Sequence, residues 1–230
     1  MWMRSIGGSA YRSVKYCGNN VACPVCGGRF SRFMHYNTRP EAQCPRCLSL
    51  ERHRTMWLHL QQSGLFAFGD TRILDIGPRA AMSSRLQGLL GARYVTGDLV
   101  VPGVTVCLDL SALPFREGQF NAIVCSHVLE HVSDDRAAMS ELRRVLRAGG
   151  FALVPVPIHP KSQITLEDPA VTDPQERSLL YGQADHVRFY ARADFESRLR
   201  NAGLVPRPID VADATAEMSL DSDVYVAYAS

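Results

Sequence analysis

Four cysteines and one short histidine–glutamate run are the residues of this chain best suited to chemistry. The cysteines form two pairs, CPVC at 23–26 and CPRC at 44–47, with seventeen residues between them. Each CxxC makes a tight knuckle that aims two thiolates at one point, and two knuckles complete a tetrahedral site. The spacing therefore predicts a four-cysteine zinc ribbon with Cys23, Cys26, Cys44 and Cys47 as ligands. Gly27 and Gly28 suit the left-handed turn after the first knuckle, and Phe30, Phe33 and Tyr36 supply a miniature core. Four thiolates fill the coordination sphere, so such a zinc is structural, and a module this small depends on it to fold. The alternative is four free buried thiols. Cys17 has no partner at knuckle spacing. The second group lies in SHVLEHV, residues 126–132, where His127, Glu130 and His131 stand at i, i+3 and i+4. On a helix all three share one face. There they serve as a general base, as metal ligands, or as plain polar lining of a pocket.

The elements that must carry these residues are legible from periodicity. In the stretch 107–157, the apolar runs at 122–125 and 151–156 are short and unbroken, as strands buried on both faces of a parallel sheet are. Between them lies an amphipathic helix with Ser133 as its cap, Asp134 and Asp135 near its positive end, and Met139, Leu142, Val145 and Leu146 as its apolar face. Gly149 and Gly150 stand where it should stop. A strand–helix–strand crossover of this kind is right-handed. Upstream, a strand at 72–76 ends in DIGP, a helix follows at 80–90, a second strand at 94–97 ends at Asp98, and a third at 104–108 delivers Asp109. Ser126 and His127 end the fourth strand, so they face the crevice where open α/β sheets bind ligands. Residues 158–190 form a long, polar, proline-marked connection, the usual form of a lid. An amphipathic helix at 194–204 and strands at 205–211 and 224–229 close an α/β, doubly wound domain.

DLSALPFREGQFNAIV, SHVLEHV and RVLRAGG together resemble the second half of the class I S-adenosylmethionine (SAM)-dependent methyltransferases of the type 11 kind, over roughly residues 70–230. The resemblance implies a Rossmann-like seven-stranded sheet with SAM as cofactor. It places Asp75, Gly77 and Pro78 in the loop that approaches the methionine moiety, although Pro78, Arg79 and Ala80 stand where further glycines are usual. Asp98, with Leu99 beside it, would hold the ribose hydroxyls. Asp109 and Leu110 would lie against the adenine, and Ser126 would border the cofactor. CPVC, CPRC and SLERHR resemble the front of an uncharacterised bacterial group in which a zinc module is fused to this catalytic fold. The segment SHVLEHV is also similar to the ubiquinone-pathway O-methyltransferases and the small-RNA 2′-O-methyltransferases, which bind a divalent metal through Glu-x-x-Glu-His. That similarity implies a second metal on His127, Glu130, His131 and His186. Imidazoles with one carboxylate favour Zn, Fe or Mn over Mg, and the ion would act as a Lewis acid on an acceptor hydroxyl. The competing reading is a helix opening that packs or caps without metal.

Composition sets the outer bounds. The 230 residues suffice for one well-buried domain, expected at 65–230, with a ribbon and linking helix at 1–64. The linking helix, 48–64, has a basic end in Arg46, Arg52, His53 and Arg54, and offers Trp57, Leu58 and Leu60 for packing. No apolar run is long enough for a bilayer, and the first residues lack the apolar stretch of a signal peptide, so a cytoplasmic protein with no membrane partner is expected. Net charge is +2, yet residues 1–60 hold nine Lys/Arg against two Asp/Glu, and the remainder carries −5. That asymmetry suits an anionic partner or simply a solvated basic face. The leading expectation is methyl transfer to an oxygen or nitrogen of a small-molecule acceptor, a sugar or natural-product intermediate, with His127 or His131 as base and His159 as a second candidate. An RNA methyltransferase using the basic ribbon is the alternative. A non-catalytic, zinc-dependent interaction module is the third.

Overall fold

In a computed structural model of the chain, residues 3–209 and 224–230 are described. They divide into two compact units. One comprises the N-terminal residues up to Ala67 together with Arg79–Gly91; the other holds Phe68–Pro78, the stretch Ala92–Ile209 and the C-terminal strand.

The first unit opens with helix α1 (Met3–Lys15), followed by strands β1 (Cys17–Ala22), β2 (Arg29–Phe30), β3 (Met34–Tyr36) and β4 (Arg39–Gln43). They pair as two antiparallel ribbons, β1 with β2 and β3 with β4. Helix α2 (Glu51–Gln62) leads out of the second ribbon, and helix α3 (Ala80–Leu90) belongs to the same unit. Phe30 and Phe33 are buried as the miniature core, while Tyr36 is half-exposed. The basic end expected of the linking helix is largely turned inward. His53 Nδ1 accepts the Leu50 amide at 3.0 Å, and Arg54 donates to the Ala42 and Ser49 carbonyls while its guanidinium lies 4.2 Å from the Phe33 ring centre. Arg39 pairs with Glu51. Trp57 is buried, with the Phe66 ring 6.0 Å away and the Arg85 guanidinium of α3 over its face.

The second unit is built on a seven-stranded sheet. Its strands are β5 (Ile73–Ile76), β6 (Tyr94–Asp98), β7 (Val106–Cys107), β8 (Phe120–Cys125), β9 (Leu146–Leu153), β12 (Leu204–Pro208) and β13 (Tyr225–Ala229). The order across the sheet is β12-β13-β9-β8-β5-β6-β7. The last strand is inserted antiparallel between β12 and β9, and the other six share one direction. Strand order reverses at β5, with β6 on one side and β8 on the other. Ligands of open α/β sheets bind at the carboxyl ends of the strands flanking such a reversal. Every residue of β5 and of β8 is buried, which is why both read as unbroken apolar runs.

Helices α4 (Asp135–Val145) and α6 (Arg192–Asn201) bury Met139, Leu142, Val145, Phe195 and Leu199 in the same core as the strands. Each such side chain contributes about 1.5–3 kcal/mol. Asp134, rather than Ser133, caps α4, its carboxylate accepting the Ala137 amide at 2.9 Å. The helix also stops earlier than its glycines suggest. The chain turns extended at Leu146, and residues 146–150 are already strand. The register of β9 against β8 jumps there, Phe120 facing Leu146 and Ala122 facing Phe151. Gly149, at φ +72°, and Gly150, where a Cβ would sit 2.8 Å from the Asn121 carbonyl oxygen, serve this bulge instead of a helix end. The third strand is shorter than expected, and residues 210–211 of the expected strand 205–211 lie outside the described residues.

The connection 158–190 has its own order. Strands β10 (Leu166–Glu167) and β11 (Arg188–Phe189) pair antiparallel, and α5 (Pro174–Tyr181) lies between them, capped by Asp173. No helix among the described residues is long and apolar enough to cross a membrane.

Candidate functional site

The strand ends at the reversal gather one set of residues. Gly77, directly after β5, has φ +64° and donates its amide to the Gly97 carbonyl at 2.9 Å. A Cβ there would lie 3.0 Å from Val128 Cγ2 and 4.0 Å from Asp98 Oδ2, so only glycine leaves this cradle open. Asp98 ends β6. Its Oδ1 accepts the Val100 and Val101 amides at 2.8 and 2.9 Å, which ties down the loop carrying the exposed Leu99. Ser126 is buried at the end of β8. Asp109 is exposed, and its Oδ1 accepts from the Ser111 amide and hydroxyl, which hold its carboxyl below the usual range. Leu110 beside it belongs to the sheet core, and Pro78 is half-exposed.

Asp75 lies beneath this group rather than in it. Its carboxyl is 3% exposed and accepts the Tyr94 hydroxyl at 2.5 Å. Burial pushes it up to about 7, against the opposing pull of the Tyr94 hydrogen bond. An unfolded aspartate titrates near ~3.9. The folded state therefore favours the protonated form, and its contribution is complete below that value and lost as pH rises through about 7. The melting temperature should rise as pH is lowered from about 8 to about 5, and Asp75→Asn, which cannot ionise, should flatten that limb. A slope unchanged by the substitution would assign it to another group.

The histidine–glutamate run is not an α-helical face. Leu129–His131 is a single 3-10 turn, and His127 precedes it with φ +55°, a left-handed conformation that costs a non-glycine residue energy. The spacing nevertheless brings side chains together. His127 Nδ1 lies 3.1 Å from Glu130 Oε1, and donor atoms of Glu130, His131 and His186 all lie within 4.8 Å of one another. His186 arrives from the connection 158–190, its ring edge-on to His131 at 4.7 Å between centres. His127 is outside this three-residue set, and His159 is elsewhere, packed edge-on to Phe189.

In the other unit the four cysteine sulfurs also lie within 4.8 Å of one another, with Cys23–Cys47 and Cys26–Cys44 each at 3.7 Å. Each knuckle closes on a left-handed residue, Gly27 bonding back to the Cys23 carbonyl and Leu48 to that of Cys44. Hydrogen bonding with Cys23 pushes the Cys44 and Cys47 thiols up, whereas hydrogen bonds from its neighbours, Cys26 first, drive Cys23 down. Such a donor set fits a tetrahedral zinc with no open position.

Some residues around the two clusters gave no local sequence signal. Ser49 places its hydroxyl 3.3 Å from Cys23 and 3.2 Å from Cys47. Arg188, buried, donates to the carbonyls of Leu129, Val132 and Ser133 and so fastens the turn that carries Glu130 and His131. A charged residue inside the apolar run HVRFY was its one visible mark.

The strand order, with β13 inserted antiparallel, is that of the α/β methyltransferase fold. Residues 66–154 match the family model described as a methyltransferase domain. The chain is 31% identical over 116 residues to demethylmenaquinone methyltransferase of Mycobacterium tuberculosis, covering 46% of this chain and 49% of that protein. The Mycobacterium marinum protein of the same description is 32% identical over 116 residues. The chain spans about half the length of the curated relatives it matches. A SAM-dependent methyltransferase from Mesorhizobium loti shares the fold at TM-score 0.51 and 17% identity, over 76% of this chain and 97% of that one. So does 1,6-didemethyltoxoflavin-N1-methyltransferase from Burkholderia thailandensis, solved with S-adenosylhomocysteine, at TM-score 0.50 and 17% identity, over 76% of each chain.

Proposed function

We propose that the chain is a SAM-dependent methyltransferase acting on an oxygen or nitrogen of a small-molecule acceptor, with a structural zinc in its four-cysteine cluster. The observation that carries this reading is the open cradle at Gly77 beside Asp98, at the strand reversal of a methyltransferase domain. SAM, when bound, supplies a methyl group on a positively charged sulfur. The protein's part is then chiefly to align the acceptor and exclude water. Gly77 lets the backbone approach the cofactor, and Asp98, with Oδ1 ordering its own loop, offers Oδ2 to ribose hydroxyls. His127 takes the acceptor's proton, and the Glu130 carboxylate beside its Nδ1 orients the ring and stabilises the imidazolium that forms. The left-handed backbone at His127 supports that role, because strained residues concentrate at functional sites.

Calorimetric titration with SAM tests the reading. Asp98→Ala should weaken binding at least ~tenfold, since a charge-assisted hydrogen bond contributes about 1.5–3 kcal/mol. Asp98→Asn, which keeps an acceptor for Val100 and Val101, should lie between the variant and the wild type. Unaltered affinity in both would remove Asp98 from the ribose, and a wild type that does not bind SAM would overturn the assignment.

An RNA acceptor is the second reading, favoured by the positive N-terminal unit. Much of that charge is used internally, by Arg12 on the Pro45 carbonyl, Arg39 on Glu51 and Arg54 in the core, while Lys15, Arg29, Arg32 and Arg46 remain exposed. RNA affinity that falls steeply with salt would favour it over the small-molecule reading.

A further inference from the structure

Glu130 is 0% exposed, and neither of its carboxylate oxygens has a well-formed hydrogen bond. His186 is 2% exposed, and its Nε2 has no hydrogen-bond partner among the described residues. The two imidazoles of the cluster are already oriented through their other nitrogens. His186 Nδ1 lies 3.0 Å from the Tyr181 carbonyl oxygen, and His131 Nδ1 lies 3.2 Å from that of Asp185. A carbonyl can only accept, so both Nδ1 atoms carry the proton, and in the neutral imidazole each Nε2 then presents a lone pair. One ligand atom from each of two imidazoles and one from a buried carboxylate thus lie within 4.8 Å of one another. Three acceptors brought together, two of them on the buried Glu130 and His186 and one on the half-buried His131, call for a cation, and an Nδ1–H bonded to a backbone carbonyl is how metal-bound histidines are held.

The three residues also come from two places in the chain. Glu130 and His131 share the turn after β8, and His186 lies near the end of the connection 158–190. That end is docked on the turn by backbone and side chain alike. The Val187 amide donates to the Glu130 carbonyl at 2.9 Å, and Arg188 donates to three further carbonyls of the turn. We propose that Glu130, His131 and His186 bind a divalent transition-metal ion, and that this ion pins the connection 158–190 onto the turn after β8. Two imidazoles and one carboxylate suit zinc, manganese or iron(II), with positions left open. The second oxygen of Glu130 remains beside His127. The inference does not depend on the methyl-transfer reading, because it concerns a bond between two chain segments.

The test uses the full chain with its cysteine cluster loaded. Titration with zinc or manganese should show one further equivalent, and cobalt(II) should bind there without the intense sulfur-to-metal absorption of a thiolate site. Glu130→Gln and His186→Ala should each weaken that equivalent at least ~tenfold and leave the cysteine-bound metal in place. In wild type the ion should raise the melting temperature and slow tryptic cleavage at Lys161 and Arg177, both within the connection. Without added ion Glu130→Gln should melt close to wild type, since the amide keeps the volume and an oxygen beside His127; with the ion wild type should melt above the variant. A single metal equivalent per chain at millimolar zinc, or a second one indifferent to both substitutions, overturns the site. Binding that leaves proteolysis unchanged overturns the pinning.

Discussion

Cys44→Ser should lose the metal and the soluble protein together. Cys44 is fully buried, its amide donates to the Ser49 carbonyl and its carbonyl accepts the Leu48 amide, so it is both ligand and knuckle. Around the four sulfurs the N-terminal unit has small ribbons and a core of a few side chains, among them Phe30, Phe33 and Ala42. That core is slight beside the metal's contribution, which in zinc-finger peptides is about 10–16 kcal/mol. A whole domain is stable by only about 5–15 kcal/mol. Elemental analysis should fall from one tightly held zinc per chain to almost none, and the soluble yield should fall with it. Cys17→Ser, at an exposed thiol outside the cluster, should change neither. Full folding after complete metal removal would show that the four thiols pack without it.

The next largest effect is expected in the buried ion network around Asp135. Arg198→Met should cost about 3–5 kcal/mol, the usual result of removing one partner from a buried ion network. The Arg198 guanidinium lies 2.8 Å from Asp135, 2.5 Å from Glu167 and 2.8 Å from Asp194. Asp135 is 3% exposed, and without Arg198 it keeps the Tyr190 hydroxyl at 2.7 Å and a more distant Arg188 at 3.7 Å. Methionine fills much of the volume, so the loss is one of charge compensation and not of packing. A fall of roughly 10 °C in melting temperature is expected for a chain of this size. Arg200→Met is the control. Its pair with Glu196 is an exposed i,i+4 contact, and such pairs contribute about 0–1 kcal/mol. Equal effects in the two variants would show that burial does not distinguish them.

Much of the sheet was legible because its strands at 73–76 and 120–125 are buried on both faces, which leaves an unbroken apolar run as a local mark. Helix α3 was legible to the residue. The misreadings arose where one local signal serves two structures. A glycine pair after an amphipathic helix reads as its stop, yet Gly149 and Gly150 make a strand bulge whose cause is the approach of Asn121, outside any local window. The i, i+3, i+4 spacing of His127, Glu130 and His131 likewise reads as a helical face. In the structure a left-handed residue and one 3-10 turn bring two of these side chains to His186. Arg188 and Tyr190 act on partners more than fifty positions away, so no window of sequence shows their role.

The position of β13 has a consequence for how the chain is made. Residues 225–229 are the last of the sheet in sequence but lie inside it, paired with β9 on one side and β12 on the other. On the ribosome, the backbone edge of β9 at Phe151–Leu153 therefore waits until everything from Val154 to Val224 has been translated, on the order of ten seconds at typical elongation rates. During that interval a buried-type strand edge is open to pairing with another chain, the usual route to aggregation. Yield in a foreign host should accordingly respond to slower growth and to chaperones that shield nascent strands more than to changes on the folded surface.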